Sequence, residues 1–413
     1  MEIENILTKY IPELAADALL NSDDATRAYG TSTFGPAQCL AGAVKITCKT
    51  QIPKLISMAN KEGLRLYPVS SGKNWGYGSV PQLEQPEKSI VLDLSLLTKI
   101  TPVSKELGLI SVEPGVTQQQ LSDFLTENAW PYMAPVTGAG PYCSILSNAL
   151  ERGYGITPYT DHFGAVTAVR AYLPHPELCQ HEYASAVADM DQSEAGFVDK
   201  TYKWGVGPYI DGLFTQSNLG IVTDATIRMA KLPECFSAFY IRFHNSEELE
   251  LALTLIRKVL REFEGIVGSI NLMDKHRLIS MTVDNPNGTS TDAVMTASQV
   301  DNISKERGIP EWLVVGSIYG NQSIVCAVKR KIRQANGGVG SIIFSDSPIL
   351  NLARTINRYF PCLLPTKIKM QLLTLEEGLE IMQGKPNQVA LPLAYWRNAS
   401  MTPNKTRKLL PDK

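Results

Sequence analysis

The chain lacks any pattern that would hold a metal or a disulfide framework. Its seven cysteines (39, 48, 143, 179, 235, 326 and 362) are scattered, and no two form a Cys-x-x-Cys pair. Its five histidines show no His-Glu-x-x-His or comparable spacing. Reduced thiols in a cytoplasmic protein without a metal site are therefore expected. An excess of one charge is also missing: 39 Lys and Arg stand against 41 Asp and Glu, for a net charge of −2. That excludes the basic surface a nucleic-acid binder needs and gives a membrane-surface role no support. No apolar run approaches membrane-spanning length. The first residues, Met1-Glu-Ile-Glu-Asn, do not form a basic region followed by an apolar core, so a secretory leader is not expected. What remains is a globular composition, 413 residues and 44% apolar, enough for two or three domains.

One loop stands out against this background. The run Leu64, Leu66, Tyr67, Val69 reads as a strand that empties into Ser70, Ser71, Gly72, Lys73 and Asn74, with Gly76, Gly78 and Ser79 following. Small residues let several backbone N–H groups converge on one anion, because no Cβ blocks the approach. A phosphate or pyrophosphate is the natural occupant; a plain turn is the alternative. Gly72-Lys73 is followed by Asn74 rather than Ser or Thr, so this is not a Walker loop. The glycine spacing does not match Gly-x-Gly-x-x-Gly either.

Residues 4–22 carry a helix-like apolar pattern that is expected to stop near Asn21-Ser22-Asp23-Asp24. From Ala43 the pattern becomes strand, helix, strand, with Gly63 ending the helix and the second strand delivering the glycine loop. Further strands are expected from Ser89 and Leu109, and Thr117 with Gln120 forms a capping box that opens a helix. Residues 134–155 are too apolar for an exposed linker and too rich in glycine for a simple helix. Such a stretch fits backbone pressed against a large flat ligand, or a tight chain crossing in the core. Strands follow at 166–173 and 221–229, separated by a polar excursion. Beyond Pro233, strands near 237–243, 266–272 and 312–319 alternate with helices at 246–263 and 322–335. The expected division is a helical segment at 1–39, one domain at 40–232, a second at 233–397, and a polar tail at 398–413.

Five blocks, in order, resemble the vanillyl-alcohol oxidase and p-cresol methylhydroxylase family of FAD enzymes. They are Pro68-Val-Ser-Ser-Gly-Lys-Asn-Trp-Gly-Tyr-Gly-Ser79, Val112-Glu-Pro-Gly-Val-Thr117, Ser147-Asn-Ala-Leu-Glu-Arg-Gly-Tyr-Gly155, Thr157-Pro-Tyr-Thr-Asp-His-Phe163 and the segment from Gly207 to Thr223. The resemblance implies an α+β fold: a two-lobed FAD-binding domain, then an incomplete ferredoxin-like substrate domain. It implies FAD as cofactor and hydride transfer from a small organic substrate to flavin N5. Ser70, Ser71, Gly72, Lys73, Asn74 and Trp75 would cradle the pyrophosphate. Pro114, Gly115, Thr137, Gly138, Gly140, Ser144, Asn148, Arg152 and Gly153 would line the cofactor, although an ion pair of Arg152 with Glu151 is an equal alternative. Gly220, Ile221 and Val222 would hold the adenine and ribose end. Tyr77 matches a tyrosine that holds the substrate as phenolate, with a packed core aromatic as the alternative. Tyr395 and Arg397 are further candidate substrate contacts. For Asp161-His162, a hydrogen-bonded pair that organises its loop is as good a reading as catalysis.

Two departures from the family qualify this. Its phenol oxidases carry a carboxylate near the flavin in the stretch matching residues 134–141, which here contains no acid. The sequence given also stops soon after the block from Leu393 to Arg397, inside the family's substrate domain. A second polypeptide supplying the remainder, a homo-oligomer, or an FAD-binding subunit without turnover are the three expectations that follow. FAD is expected to be held without a covalent bond to this chain.

Overall fold

The computed structural model describes residues 3–31, 35–74, 78–155, 157–186, 197–203, 208–288 and 294–388. The first helix, α1 (Ile3–Tyr10), buries Ile6 and Leu7. The expected helix over 4–22 is not continuous. Pro12 disfavours helical geometry at the residue before it, so α1 ends at Tyr10. Asn21 starts a helix rather than ending one: its side chain accepts from the Asp24 N–H and caps α2 (Ser22–Tyr29), with the short strand β1 (Leu19–Leu20) between. Next come β2 (Gly42–Lys45), α3 (Gln51–Glu62), β3 (Arg65–Val69) and β4 (Ser89–Asp93). Gly63, at φ +64°, closes α3 in the left-handed conformation that glycine adopts without strain. The sheet order is β1-β2-β4-β3, with β2, β4 and β3 mutually parallel. Ile52, Leu55, Met58, Ile90 and Leu92 are fully buried in this first lobe.

The second lobe holds β5 (Ile100–Ser104), β6 (Leu109–Val112), α4 (Gln118–Glu127), β7 (Tyr132–Met133), α5 (Ile145–Leu150), β8 (Val166–Tyr172), β9 (Glu182–Ala184), β10 (Ile221–Arg228) and β11 (Ala230–Lys231). Its main sheet runs β5-β6-β10-β8-β9 and is antiparallel throughout. Ala225 on β10 pairs with both Val112 and Val169, which makes β10 the central strand. Thr117 and Gln120 form the expected capping box on α4. Helices α4 and α5 bury Leu121, Leu125, Ile145 and Leu146 against Val112, Val169 and Ile227 of that sheet. Tyr172, Cys179 and Ile221 leave the second lobe and pack into the core of the first, which fixes the seam between them.

After β11 the chain enters a third sheet: β12 (Cys235–Phe243), α6 (Leu249–Glu262), β13 (Val267–Asp274), α7 (Lys275–Thr282), α8 (Ala297–Arg307), β14 (Trp312–Gly320), α9 (Gln322–Asn336) and β15 (Ser341–Phe344). The order β13-β14-β12-β15, all antiparallel, is that of a ferredoxin-like β-α-β-β-α-β unit with α7 and α8 inserted. Helices α6 and α9 bury Leu255, Val259, Val325 and Ile332 on one face against Phe239, Ile241 and Ile318. Gly316 leaves room there for the Phe239 ring, which a Cβ would meet at 2.3 Å. Helices α10 (Pro348–Tyr359) and α11 (Thr366–Met382) follow. Leu379 and Met382 of α11 cover the opposite face at Ala238 and Val315. Tyr319 donates from its hydroxyl to the Met382 carbonyl at 2.7 Å and buries beside Met133 and Ala230, so this sheet is seated on the second lobe.

Candidate active site

Residues 70–74 leave the carboxyl end of β3, beside the carboxyl ends of the parallel strands β2 and β4. In open α/β sheets this edge is where ligands bind. Gly72 sits at φ +65°, and its carbonyl accepts from the Ser79 hydroxyl at 3.1 Å. Asn74 Nδ2 donates to the Gly78 carbonyl at 2.9 Å. These two bonds close the loop into a half-buried turn of small residues. Trp75 and Tyr77 lie outside the described residues, as do Tyr395 and Arg397.

The neighbouring turn is built on Asp93 at the end of β4. Its carboxylate accepts from the Tyr29 hydroxyl at 2.7 Å and the Ser95 N–H at 2.9 Å. Burial, with the adjacent carboxylate, pushes the Tyr29 hydroxyl well above its ordinary pKa and keeps it a donor. Leu94 N–H donates to the Val69 carbonyl at 2.8 Å, and Gly115 N–H to the Leu97 carbonyl at 2.7 Å. The glycine loop, the 94–97 turn and the 114–116 turn are thus joined backbone to backbone. Gly115 has to be glycine here: a Cβ would lie 2.3 Å from the Ser95 carbonyl oxygen and 2.7 Å from that of Leu97.

Residues 137–144 are knitted to the same turn. Ser144 donates to the Pro114 carbonyl at 2.6 Å while its oxygen caps α5 by accepting from the Ser147 N–H. Gln118, wholly buried, donates to Thr137 Oγ1 at 2.9 Å and accepts from the Thr137 N–H at 3.2 Å. Gln119 N–H reaches the Pro141 carbonyl, and Gly140, at φ +91°, turns the segment back. Cys143 is buried beside these residues. Burial raises its thiol to about 11, so it stays protonated.

Asn148 projects from α5 and meets His162, Nδ1 to Oδ1. Gly153 and Gly155 make the space for this pair: a Cβ at 153 would lie 2.2 Å from Asn148 Nδ2, and one at 155 would lie 1.9 Å from His162 Nε2. Burial lowers His162 to about 4, against a smaller opposing pull from Asp161, so its imidazole is neutral. Asp161 instead accepts from the Gly164 N–H at 2.8 Å. Both side chains therefore organise the loop. Arg152, at φ +53°, donates from Nε to Thr215 Oγ1 at 3.1 Å, and among the described residues its ion pair with Glu151 does not form. Gly220 packs on the Tyr172 carbonyl, which a Cβ would meet at 2.7 Å, and Ile221 and Val222 are buried at the seam between the lobes.

The structure thus connects the expected residues 70–74, Pro114, Gly115, Thr137, Gly138, Gly140, Ser144, Asn148 and Gly153 into adjoining loops. It places Arg152 at the latch to Thr215, Ile221 and Val222 at the start of β10, and Gly220 just before that strand. Asp93 and Gln118 were not legible as parts of the site. A lone acid ending the apolar run Ile90-Val91-Leu92 was the available signal for Asp93, and Gln118 carried none. Among the described residues no group of three or more His, Cys, Asp or Glu could hold a metal, and no helix is long and apolar enough to cross a membrane.

A cluster of glycine turns and small polar residues, at the carboxyl ends of parallel strands and joined to a second lobe, suits a dinucleotide flavin. Gly72 turns the loop in the left-handed conformation, and Gly115 admits the close crossing of the 94–97 turn. The chain carries an FAD-binding domain and is similar to FAD-dependent oxidoreductases of the p-cresol methylhydroxylase type. A family model described as an FAD binding domain matches residues 40–180. The chain is 28% identical over 399 residues to the 1'-carboxy-chondrochloren decarboxylase of Chondromyces crocatus, covering 95% of this chain and 71% of that protein. It is 28% identical over 300 residues to the 4-cresol dehydrogenase [hydroxylating] flavoprotein subunit of Pseudomonas putida, covering 70% of this chain and 54% of that one. In fold it matches p-cresol methylhydroxylase with substrate bound at a TM-score of 0.78 and 22% identity, over 96% of this chain and 72% of the other. The 4-ethylphenol oxidase of Gulosibacter chungangensis matches with the same TM-score at 20% identity, over 96% of this chain and 72% of that one.

Proposed function

We propose that this chain oxidises a small organic substrate, phenolic or alcoholic, by hydride transfer to its flavin. FAD supplies the two-electron acceptor, and the protein's part is to hold it and orient the substrate. In this reading residues 70–74 bind the pyrophosphate through backbone N–H groups, and Gly220, Ile221 and Val222 hold the adenine end. Asn148, kept in place by His162, presents its amide to the cofactor, with Pro114, Gly115, Thr137, Gly138, Gly140, Ser144, Arg152 and Gly153 around it. Tyr77, Tyr395 and Arg397 are the proposed substrate contacts. The observation that carries the reading is the 300-residue similarity to a 4-cresol dehydrogenase flavoprotein subunit. That relative's standing as a subunit also supports a second polypeptide working with this chain.

A second reading is favoured by the decarboxylase relative, which is similar along nearly the whole chain. Residues 134–141 offer no acid to act as a base. A substrate carrying its own carboxylate does not need one: the carbon–carboxylate bond pair stays on the substrate as CO₂ leaves and hydride departs. The experiment is anaerobic mixing of the FAD-loaded protein with 4-alkylphenols, aryl alcohols and carboxylated phenols, followed by flavin absorbance and CO₂ release. Bleaching by any of these supports oxidation, and CO₂ release selects the second reading. A flavin that stays oxidised with all of them, and with a co-purified partner present, points to a cofactor-binding subunit without turnover.

A further inference from the structure

Helix α5 ends in a Schellman closure: Arg152 N–H donates to the Ala149 carbonyl at 3.0 Å and Gly153 N–H to the Asn148 carbonyl at 2.7 Å. The left-handed position of that motif ordinarily belongs to glycine, yet Arg152 holds it here at φ +53°. Glycine stands one residue later, at 153, where it admits the Asn148 side chain. Among the described residues only Ala129, Arg152 and Gln216 take a positive φ without being glycine, and two of the three meet at this corner. Buried Thr215 accepts from Arg152 Nε at 3.1 Å, and its hydroxyl donates to the Gly212 carbonyl at 2.7 Å. Gln216, at φ +48°, donates from its N–H to the Leu150 carbonyl at 3.1 Å and from Nε2 to the Glu151 carbonyl at 3.2 Å.

Residues 211–214, which deliver Thr215 and Gln216, are themselves fixed to β9. The Tyr183 hydroxyl donates to Oδ1 of the buried Asp211 at 3.1 Å, and the Phe214 ring lies against the Tyr183 ring with centroids 5.3 Å apart. A continuous set of contacts thus runs from the second-lobe sheet through Thr215 and Gln216 to residues 150–152. Left-handed strain of this kind persists only where surrounding contacts enforce it, and it collects at ligand sites. The helix end itself does not call for arginine: glycine at 152 would keep both Schellman bonds without strain. What glycine cannot supply is the Nε bond to Thr215. With Asn148 and Gly153 read as lining the cofactor, as proposed above, we infer that Thr215 is a positioning residue for the flavin. Acting through Arg152, with Gln216 beside it, Thr215 sets the end of α5 in the geometry that binds FAD.

The test is a double-mutant cycle on the full chain freed of flavin and titrated with FAD by fluorescence quenching. Thr215→Val should weaken FAD binding by about tenfold or more and change the visible circular dichroism of the bound flavin. Thr215→Ser, which keeps the hydroxyl, should restore both. Arg152→Gly fits the left-handed conformation and so folds, and it should by itself weaken FAD binding at least as much. In that background Thr215→Val should add no further loss, because the residue it acts through is gone. Native affinity and native flavin dichroism in Thr215→Val or in Arg152→Gly overturn the inference. So does an equal further loss from Thr215→Val in both backgrounds, which makes Thr215 a part of the fold alone. A native chain that binds no FAD contradicts the cofactor reading itself, whereas native binding that Thr215→Val leaves unchanged removes only the positioning role.

Discussion

His162 holds the side chain of Asn148 through its Nδ1, in a space that exists because Gly153 and Gly155 lack side chains. With Nδ1 donating to Oδ1, the imidazole proton is placed and Nε2 is bare and buried. Protonating Nε2 would bury an uncompensated charge, which is why the group's pKa is lowered to about 4.

That lowering makes stability depend on pH in a stated direction. The folded imidazole titrates near 4 and the unfolded one near its ordinary 6.5, so between those values the unfolded chain binds more protons. The contribution is present above about pH 6.5 and is lost as pH falls, on the order of 2–3 kcal/mol across the window. Asp211 acts in the opposite sense, since burial raises its carboxyl and its contribution is lost as pH rises. Comparison with His162→Gln cancels that term. Melting temperatures at about pH 7 and about pH 5 should fall further for the native chain than for His162→Gln. Equal falls contradict the buried neutral imidazole.

Gly155→Ala should act on the same pair. Its Cβ would lie 1.9 Å from His162 Nε2, so the ring must leave Asn148. The expected result is a loss of about 1–3 kcal/mol in denaturant unfolding together with weaker flavin retention. Retention and stability equal to the native chain would show that the ring is not fixed there.

Gly115→Ala tests the crossing of the two turns. Both nearest atoms are backbone carbonyl oxygens, at 2.3 and 2.7 Å, so no side-chain rotation relieves the contact. Flavin content after purification should drop sharply, and circular dichroism should show the sheets retained. Full flavin content would separate the 114–116 turn from the cofactor site.

The bond between flavin and chain is expected to be non-covalent. No His, Tyr or Cys stands among the proposed cofactor-lining residues, and the neighbouring Cys143 is held as a thiol by burial. Acid precipitation should leave the flavin in the supernatant. A yellow pellet containing this polypeptide contradicts the expectation.

Much of the fold was legible because strands and helices here end at marked residues. Gly63 closes α3, Thr117 and Gln120 open α4, and the glycine loop follows β3. The failures have physical causes. The apolar pattern of 4–22 continued across Pro12, which periodicity does not register but backbone geometry does. Strand β5 contains Pro102, tolerable because β5 is an edge strand of its sheet, and so did not read as a strand. Helix α5 is six residues long, too short for a periodic signal inside a run of small residues. Helix α10 shows its periodicity openly, but a periodic apolar face normally signals burial and here it faces water. In the site, the glycines were legible from their spacing, whereas Asn148–His162 and Gln118–Thr137 depend on contacts across 14 and 19 residues of chain.

The central claim is that the loop after β3 holds the flavin of this oxidoreductase, and the most direct measurement is the flavin content of the purified full chain beside Gly72→Val. Gly72 sits at φ +65°, a conformation that a β-branched residue does not tolerate, and a Cβ there would lie tight against Ser79 Oγ at 3.3 Å. The native chain should carry stoichiometric FAD by absorbance, and Gly72→Val should fold with native circular dichroism and lose nearly all of it. A Gly72→Val protein with the native yellow colour and full FAD content would contradict the account.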